Sequence, residues 1–191
     1  KYLKTLMDLD ILERRVPVTE ENPEKSKRGL YKIKDNYLRF WFAFIYPNMS
    51  FIESGHSGIV MDKIRKGLTT SHIGFVYEDI CEERMWELNV NNTWPFRFSK
   101  LGGYWDAKNE IDIAALDPEG KNLILGECKY WKEPVGLNVL HALEAKACDV
   151  AWERDRRKVW YVLFSISGFS DELRNHAATR DDLLLIDDGE R

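Results

Sequence analysis

Apolar positions recur along this chain at two spacings, and the change from one to the other divides it. Leu3, Leu6, Met7 and Leu9 follow helical spacing, and residues 11–18 then alternate as a strand does. Residues 19–29 (TEENPEKSKRG) are polar and charged and carry Pro and Gly, which predicts a loop, and residues 30–34 predict the returning strand. Residues 36–46 (NYLRFWFAFIY) are aromatic on nearly every side and predict a buried helix. Residues 47–71, punctuated by Pro47, Asn48, Ser54, Gly55, Gly58 and Gly67, read as a linker.

Beyond residue 71 the periods alternate. Residues 72–89 form a helix pattern in which Ile73, Tyr77, Ile80, Cys81, Met85 and Leu88 share one arc, with Glu78 at its edge. Residues 91–103 predict an irregular lead-in to strand. Strands follow at 104–116 and 123–130, a helix at 135–153, a strand at 158–165, a helix at 171–178 and a strand at 183–186. Continuous apolar strands separated by helices predict an α/β domain whose sheet is covered on both faces. The expected organisation is therefore 1–46, a linker over 47–71, and a domain over 72–191.

Composition narrows the chemistry. Lys+Arg number 28 against 32 Asp+Glu, so the formal charge of −4 argues against sequence-blind coating of nucleic acid, though not against a local basic groove. Three scattered cysteines (Cys81, Cys128, Cys148) form no CxxC pair and read as reduced thiols of a cytoplasmic protein. The four histidines show no ligand spacing. The longest apolar run, Phe40–Tyr46, is far short of the about 20 residues that span a bilayer, so no membrane partner is expected. The chain starts inside a helical pattern and without methionine, as expected of a fragment of a longer protein.

The informative stretch runs from Glu110 to Lys129. Pro118-Glu119-Gly120-Lys121 is a turn signal between two apolar runs, which predicts a hairpin with Asp117 against Asn122. Counting outward sets Ala114 opposite Leu125, Asp112 opposite Glu127 and Glu110 opposite Lys129, so that Asp112, Glu127 and Lys129 share a face. Opposed carboxylates with Cβ atoms roughly 4.5–5.5 Å apart repel each other. A hard divalent cation such as Mg²⁺ (or Mn²⁺) would relieve that repulsion, and Lys129 could then stabilise an attacking hydroxide or a phosphate oxygen. Alternatively, Lys129 and Glu110 neutralise the pair on a solvent-facing edge and the carboxylates are structural.

Asp112, followed after fourteen residues by Glu127-Cys128-Lys129, resembles the split Asp…Glu-x-Lys motif of the PD-(D/E)XK nuclease superfamily, with Ile111 where that motif has proline. The resemblance implies a restriction-endonuclease-like mixed sheet flanked by helices. It also implies metal ligation by Asp112, Glu127 and the Cys128 carbonyl, catalytic roles for Asp112, Glu127 and Lys129, and a further acidic catalytic residue at Glu78, which would aid a second metal or orient water. Superfamily members sometimes place another polar active-site residue where Lys146 falls; a solvated helix lysine is the competing reading.

A wider resemblance covers nearly the whole chain. The segments from Arg28 to Phe42, Gly74 to Glu78, Glu110 to Ile113 and Gly126 to Trp131 resemble the C-terminal region of the archaeal-type ATPase family, which joins a P-loop ATPase, a winged helix and a nuclease-like domain. That implies part of a winged helix at 1–46, with Lys25, Lys27 and Arg28 at a basic hairpin tip that would bind nucleic acid, as Lys146 would; a plain solvated loop fits the three tip residues equally. No GxxxxGK[ST] sequence occurs here, so the ATPase would lie upstream. Trp131 reads as core, as aromatic residues near strand ends usually are, with contact of Trp131 and Lys132 to nucleic acid the competing reading; Arg154, Arg156, Arg157 and Lys158 read as a solvated turn, with a grip on phosphate the competing reading. Two functions follow: a Mg²⁺-dependent nuclease acting on nucleic acid, DNA foremost, or a nuclease-like module that binds nucleic acid or a partner without cutting.

Overall fold

The structure, a computed structural model, describes residues 2–189. The chain divides into two compact units: residues up to Arg15 with Gly29–Val76, and Val16–Arg28 with everything from Tyr77 onward.

The first unit opens with helix α1 (Tyr2–Asp8) and an antiparallel hairpin of β1 (Leu12–Arg15) and β2 (Leu30–Ile33), paired Leu12 to Ile33 and Arg15 to Leu30. Helix α2 (Asn36–Phe40) starts where the Asp35 carboxylate accepts the Leu38 N–H at 2.7 Å. It runs into a wide π turn over Trp41–Ile45. Only Phe44 of this aromatic stretch is buried, and Tyr37 and Tyr46 stay exposed. A segment aromatic on every side presents more apolar surface than so small a unit covers.

The expected linker over 47–71 is helical instead. Helix α3 (Met49–Glu53) and helix α4 (Ser57–Leu68) occupy it, separated at Gly55, whose φ of 78° is the real break. Gly58 lies within α4 without interrupting it, and Val60 supplies a buried anchor. Buried Asn48 donates to the Phe44 carbonyl at 2.8 Å and accepts from Lys63 Nζ at 2.6 Å, which ties the segment into the unit.

The second unit is a five-stranded mixed sheet flanked by helices, the α/β arrangement expected. Its strands are β3 (Lys100–Trp105), β4 (Glu110–Leu116), β5 (Asn122–Lys129), β6 (Lys158–Ser165) and β7 (Leu183–Asp187), in that spatial order. The pairs β3–β4 and β4–β5 are antiparallel, while β5–β6 and β6–β7 are parallel. The strand expected over 104–116 is split by a turn in which Asp106 Oδ1 accepts the Lys108 and Asn109 N–H groups at 2.7 and 2.8 Å. On one sheet face, Tyr77, Cys81 and Met85 of helix α5 (Gly74–Val90) meet Ile113, Ala115, Ile124, Val162 and Phe164. Ile80, expected on that buried arc, is exposed.

On the other face, helix α6 (Leu137–Asp149) and helix α7 (Asp171–Ala177) bury Val139, Leu140, Leu143 and Leu173 against Leu116, Leu123, Leu125 and Leu163. Asn89, buried at the end of α5, bonds both the N–H and the carbonyl of Phe98, at 3.1 and 3.0 Å. Residues 16–28 lie along the edge strand β3: the Val18 N–H donates to the Gly103 carbonyl at 3.0 Å, and Trp105 Nε1 to the Arg28 carbonyl at 3.0 Å.

Candidate active site

The hairpin of β4 and β5 has the counted register. Ala114 faces Leu125, Ile113 faces Gly126, and the Asp117 N–H reaches the Asn122 carbonyl at 3.2 Å across the turn. One step beyond Ile113 and Gly126 lie Asp112 and Glu127. A bulge between Gly102 and Tyr104 on β3 disturbs pairing beside the start of β4, and there Asp112 Oδ2 accepts the Cys128 N–H at 2.8 Å. Gly126 fits only as glycine: a Cβ there would meet Val162 Cγ1 at 2.5 Å, the Val162 carbonyl oxygen at 2.9 Å and Ile113 Cβ at 3.1 Å. The close approach fixes the strand immediately before Glu127.

Four charged side chains converge at the C-terminal end of β5. Lys129 Nζ bonds Glu127 Oε2 and lies 3.5 Å from Asp112 Oδ2. Lys146 Nζ, from the last turn of α6, lies 2.6 Å from Glu127 Oε1 and donates to the Glu110 carbonyl at 2.7 Å. Both oxygens of Glu127 are thus held by ammonium groups. The Glu127 side chain is 6% exposed and that of Asp112 17%, so the pair sits where charge interacts strongly.

The four charges balance, two against two, but the two carboxylates are shifted in opposite directions. Burial and the neighbouring Glu127 push the Asp112 carboxyl above the usual carboxylate range. Burial would do the same to Glu127, but Lys129 and Lys146 outweigh it and hold Glu127 low. Burial disfavours the Lys129 ammonium, yet Asp112 and Glu127 raise its pKa overall. Lys129 is therefore a fixed positive charge between two acids.

Of the residues read from sequence, Asp112, Glu127, Lys129 and Lys146 come together. Glu78 lies half-buried on α5, where its charge adds to the forces pushing up the buried Cys128 thiol. It does not complete a metal-ligand group: among the described residues, no three His, Cys, Asp or Glu side chains gather in one. Lys25 and Lys27 are exposed on the 16–28 loop. Arg28 is committed there, paired with Glu20 and donating to the Trp105 carbonyl at 3.3 Å.

Two readings change. Lys146 is part-buried and joined to the charge cluster rather than a solvated lysine. Its signal was its phase, three residues after Leu143 and seven after Val139, both buried on the inner face of α6. Trp131 is not core: it is 47% exposed, with Lys129 Nζ 5.7 Å from its ring centre. Strand β5 ends at Lys129, so Trp131 lies beyond the sheet's last paired residue.

The family described as DUF234, archaeal and bacterial proteins of unknown function, matches residues 41–148, more than half of the chain. The chain belongs to DUF234. The match takes in Glu78, Asp112, Glu127, Lys129 and Lys146. Over 132 residues, 69% of its length, this DUF234 chain is 41% identical to an uncharacterized protein of Methanocaldococcus jannaschii. The chain spans 29% of that relative's length. Two solved structures are similar to this DUF234 chain. One is a repair endonuclease from Pyrococcus abyssi, at 10% identity and TM-score 0.35, with 56% of this chain and 45% of that one covered. The other is an EndoMS–dsDNA complex, at 15% identity and TM-score 0.35, covering 58% and 46%. Among the described residues of this DUF234 chain, no helix is long and apolar enough to cross a membrane.

Proposed function

We propose that this chain is a Mg²⁺- or Mn²⁺-dependent nuclease domain that hydrolyses phosphodiester bonds of nucleic acid, DNA first among the substrates. The observation that carries the reading is the convergence of Asp112, Glu127, Lys129 and Lys146 at the end of β5. Carboxylate and carbonyl oxygens are the donors a hard divalent cation takes, and two carboxylates suffice where water and phosphate complete its shell. The donor set therefore fits, with Asp112, Glu127 and the Cys128 carbonyl as ligands. Such an ion would polarise the phosphate and lower the pKa of its water.

The chain's own groups do the rest. Lys129, kept protonated by its two acids, holds the attacking oxygen or a non-bridging phosphate oxygen. Lys146 holds Glu127 in one orientation through Oε1 and the Glu110 carbonyl anchors Lys146 in turn. A cation added to a balanced site leaves an excess of positive charge, which a phosphodiester offsets. Glu78 has a lesser place in this scheme, as a residue that orients water from the α5 side. Lys25 and Lys27 would extend the phosphate-binding surface. The resemblance to ATPase-linked proteins supports a winged-helix origin for the first hairpin, a P-loop ATPase elsewhere in the same polypeptide, and a cytoplasmic setting.

A second reading has an observation of its own. Two lysines already neutralise two carboxylates, so the cluster can be structural and the domain can bind nucleic acid or a partner without cutting it. Incubating the chain with Mg²⁺ or Mn²⁺ and single-stranded, duplex or branched DNA, or RNA, beside Asp112→Ala, separates the two. Cleavage that disappears in Asp112→Ala supports the nuclease; no cleavage, or equal cleavage by both, leaves the binding module. A calorimetric Mn²⁺ titration should lose its signal in Glu127→Ala, and an unchanged isotherm rejects the metal assignment.

A further inference from the structure

A half-exposed tryptophan stands beside the candidate site. Tryptophan commonly buries 150–250 Å² on folding, yet Trp131 is 47% exposed while its neighbours are fixed. Tyr130, the residue before it, sits edge-on to buried Tyr77 at 5.7 Å between ring centres. Ser167 Oγ donates to the Trp131 carbonyl at 2.5 Å. Further along, the Val135 N–H donates to the Gly168 carbonyl at 2.9 Å, and the Ser170 N–H to the Val135 carbonyl at 3.0 Å. The segment is pinned to the ends of the parallel strands, and the indole is held out from it.

Its position relative to charge is equally defined. Lys129 Nζ stands 5.7 Å from the ring centre, near the outer limit of about 6 Å for a cation–π contact. Lys132, next in sequence, is exposed as well. A flat π surface, a phosphate-seeking ammonium and a second cation thus lie together at the mouth of the site.

We propose that Trp131 is a stacking platform for one unpaired nucleobase, so that the substrates of this site are single strands, flaps or frayed ends rather than continuous duplex. The inference rests on the nuclease reading for its setting. Bases inside a duplex are covered on both faces by their neighbours, and an aromatic side chain reaches a base face only where the strand is unstacked. The indole selects no particular base, because every base offers a π face.

The test is fluorescence anisotropy on the full chain in EDTA, with a labelled single-stranded oligonucleotide, the same strand as duplex, and the same strand with abasic sites. The proteins are wild type, Trp131→Ala and Trp131→Phe. Stacking on one base is worth about tenfold in affinity. Trp131→Ala is therefore expected to bind the single strand about tenfold more weakly, Trp131→Phe to keep most of the affinity, and duplex binding to stay unchanged as a check on folding. The abasic strand should be insensitive to the substitution. Equal single-strand binding by wild type and Trp131→Ala overturns the proposal, as do parallel losses on duplex and single strand, or no binding of the single strand by wild type. The same preparations assayed with Mn²⁺ keep the two readings apart. Absent cleavage with intact stacking removes the nuclease only, and Asp112-dependent cleavage with no Trp131 effect removes the platform only.

Discussion

Lys146 Nζ lies 2.6 Å from Glu127 Oε1, although 19 residues and a change from strand to helix separate the two. The contact joins α6 to the end of β5 through a carboxylate that is almost wholly buried. It also makes Lys146 as much a part of the charge cluster as Lys129.

Removing that ammonium should therefore cost stability. In Lys146→Met, Glu127 keeps only Lys129, and a buried acceptor loses a charged donor, a loss worth about 1–3 kcal/mol. Urea denaturation in EDTA should register a destabilisation of that size. A midpoint equal to wild type would show the 2.6 Å contact to be energetically idle.

Gly126 allows a second expectation. A methyl group there would come within 2.5 Å of Val162 Cγ1 and 2.9 Å of a backbone oxygen, so β5 must shift between its neighbours. Overpacking of this kind costs about 1–3 kcal/mol. Gly126→Ala should lower the thermal midpoint, and it should also weaken Mn²⁺ binding by moving Glu127. Wild-type stability in this variant would mean the sheet relaxes freely at its centre.

Alkaline stability follows from two tyrosines. Burial, aided by the hydrogen bond to Asp106, pushes the Tyr104 phenol from 10.0 up to about 12. Burial and the charge of Glu144 do the same for Tyr161, also to about 12. A raised acid pKa means the folded chain holds these protons more tightly than the unfolded chain does. Their contribution is complete below pH 10 and disappears as pH climbs through about 12. Urea midpoints measured across that window should fall more steeply for wild type than for Tyr104→Phe. Parallel curves would contradict the assignment to Tyr104.

The site was partly legible because it is local. A turn signal of four residues sets the hairpin register, and alternation then brings Asp112, Glu127 and Lys129 to one place. Lys146 was suggested by the nuclease resemblance, but its meeting with Glu127 depended on the docking face of α6, which periodicity alone does not give. Trp131 was read as core because aromatic residues near strand ends usually are, but it lies two residues beyond the end of β5 and is 47% exposed. The helices over 49–68 were hidden by glycines, of which Gly55 breaks the chain and Gly58 does not.

By itself, then, the sequence determined what short-range stereochemistry determines. It set the alternation of apolar strands and helices, the 118–121 turn, the pairing of β4 with β5, and the residues available for metal and phosphate chemistry. The tertiary structure decided which charges share the site. It seated α6 so that Lys146 meets Glu127, left Glu78 without a three-ligand group among the described residues, and left the Trp131 side chain half-exposed. Those outcomes depend on how elements distant in sequence pack together, and periodicity within one element carries no information about its partner.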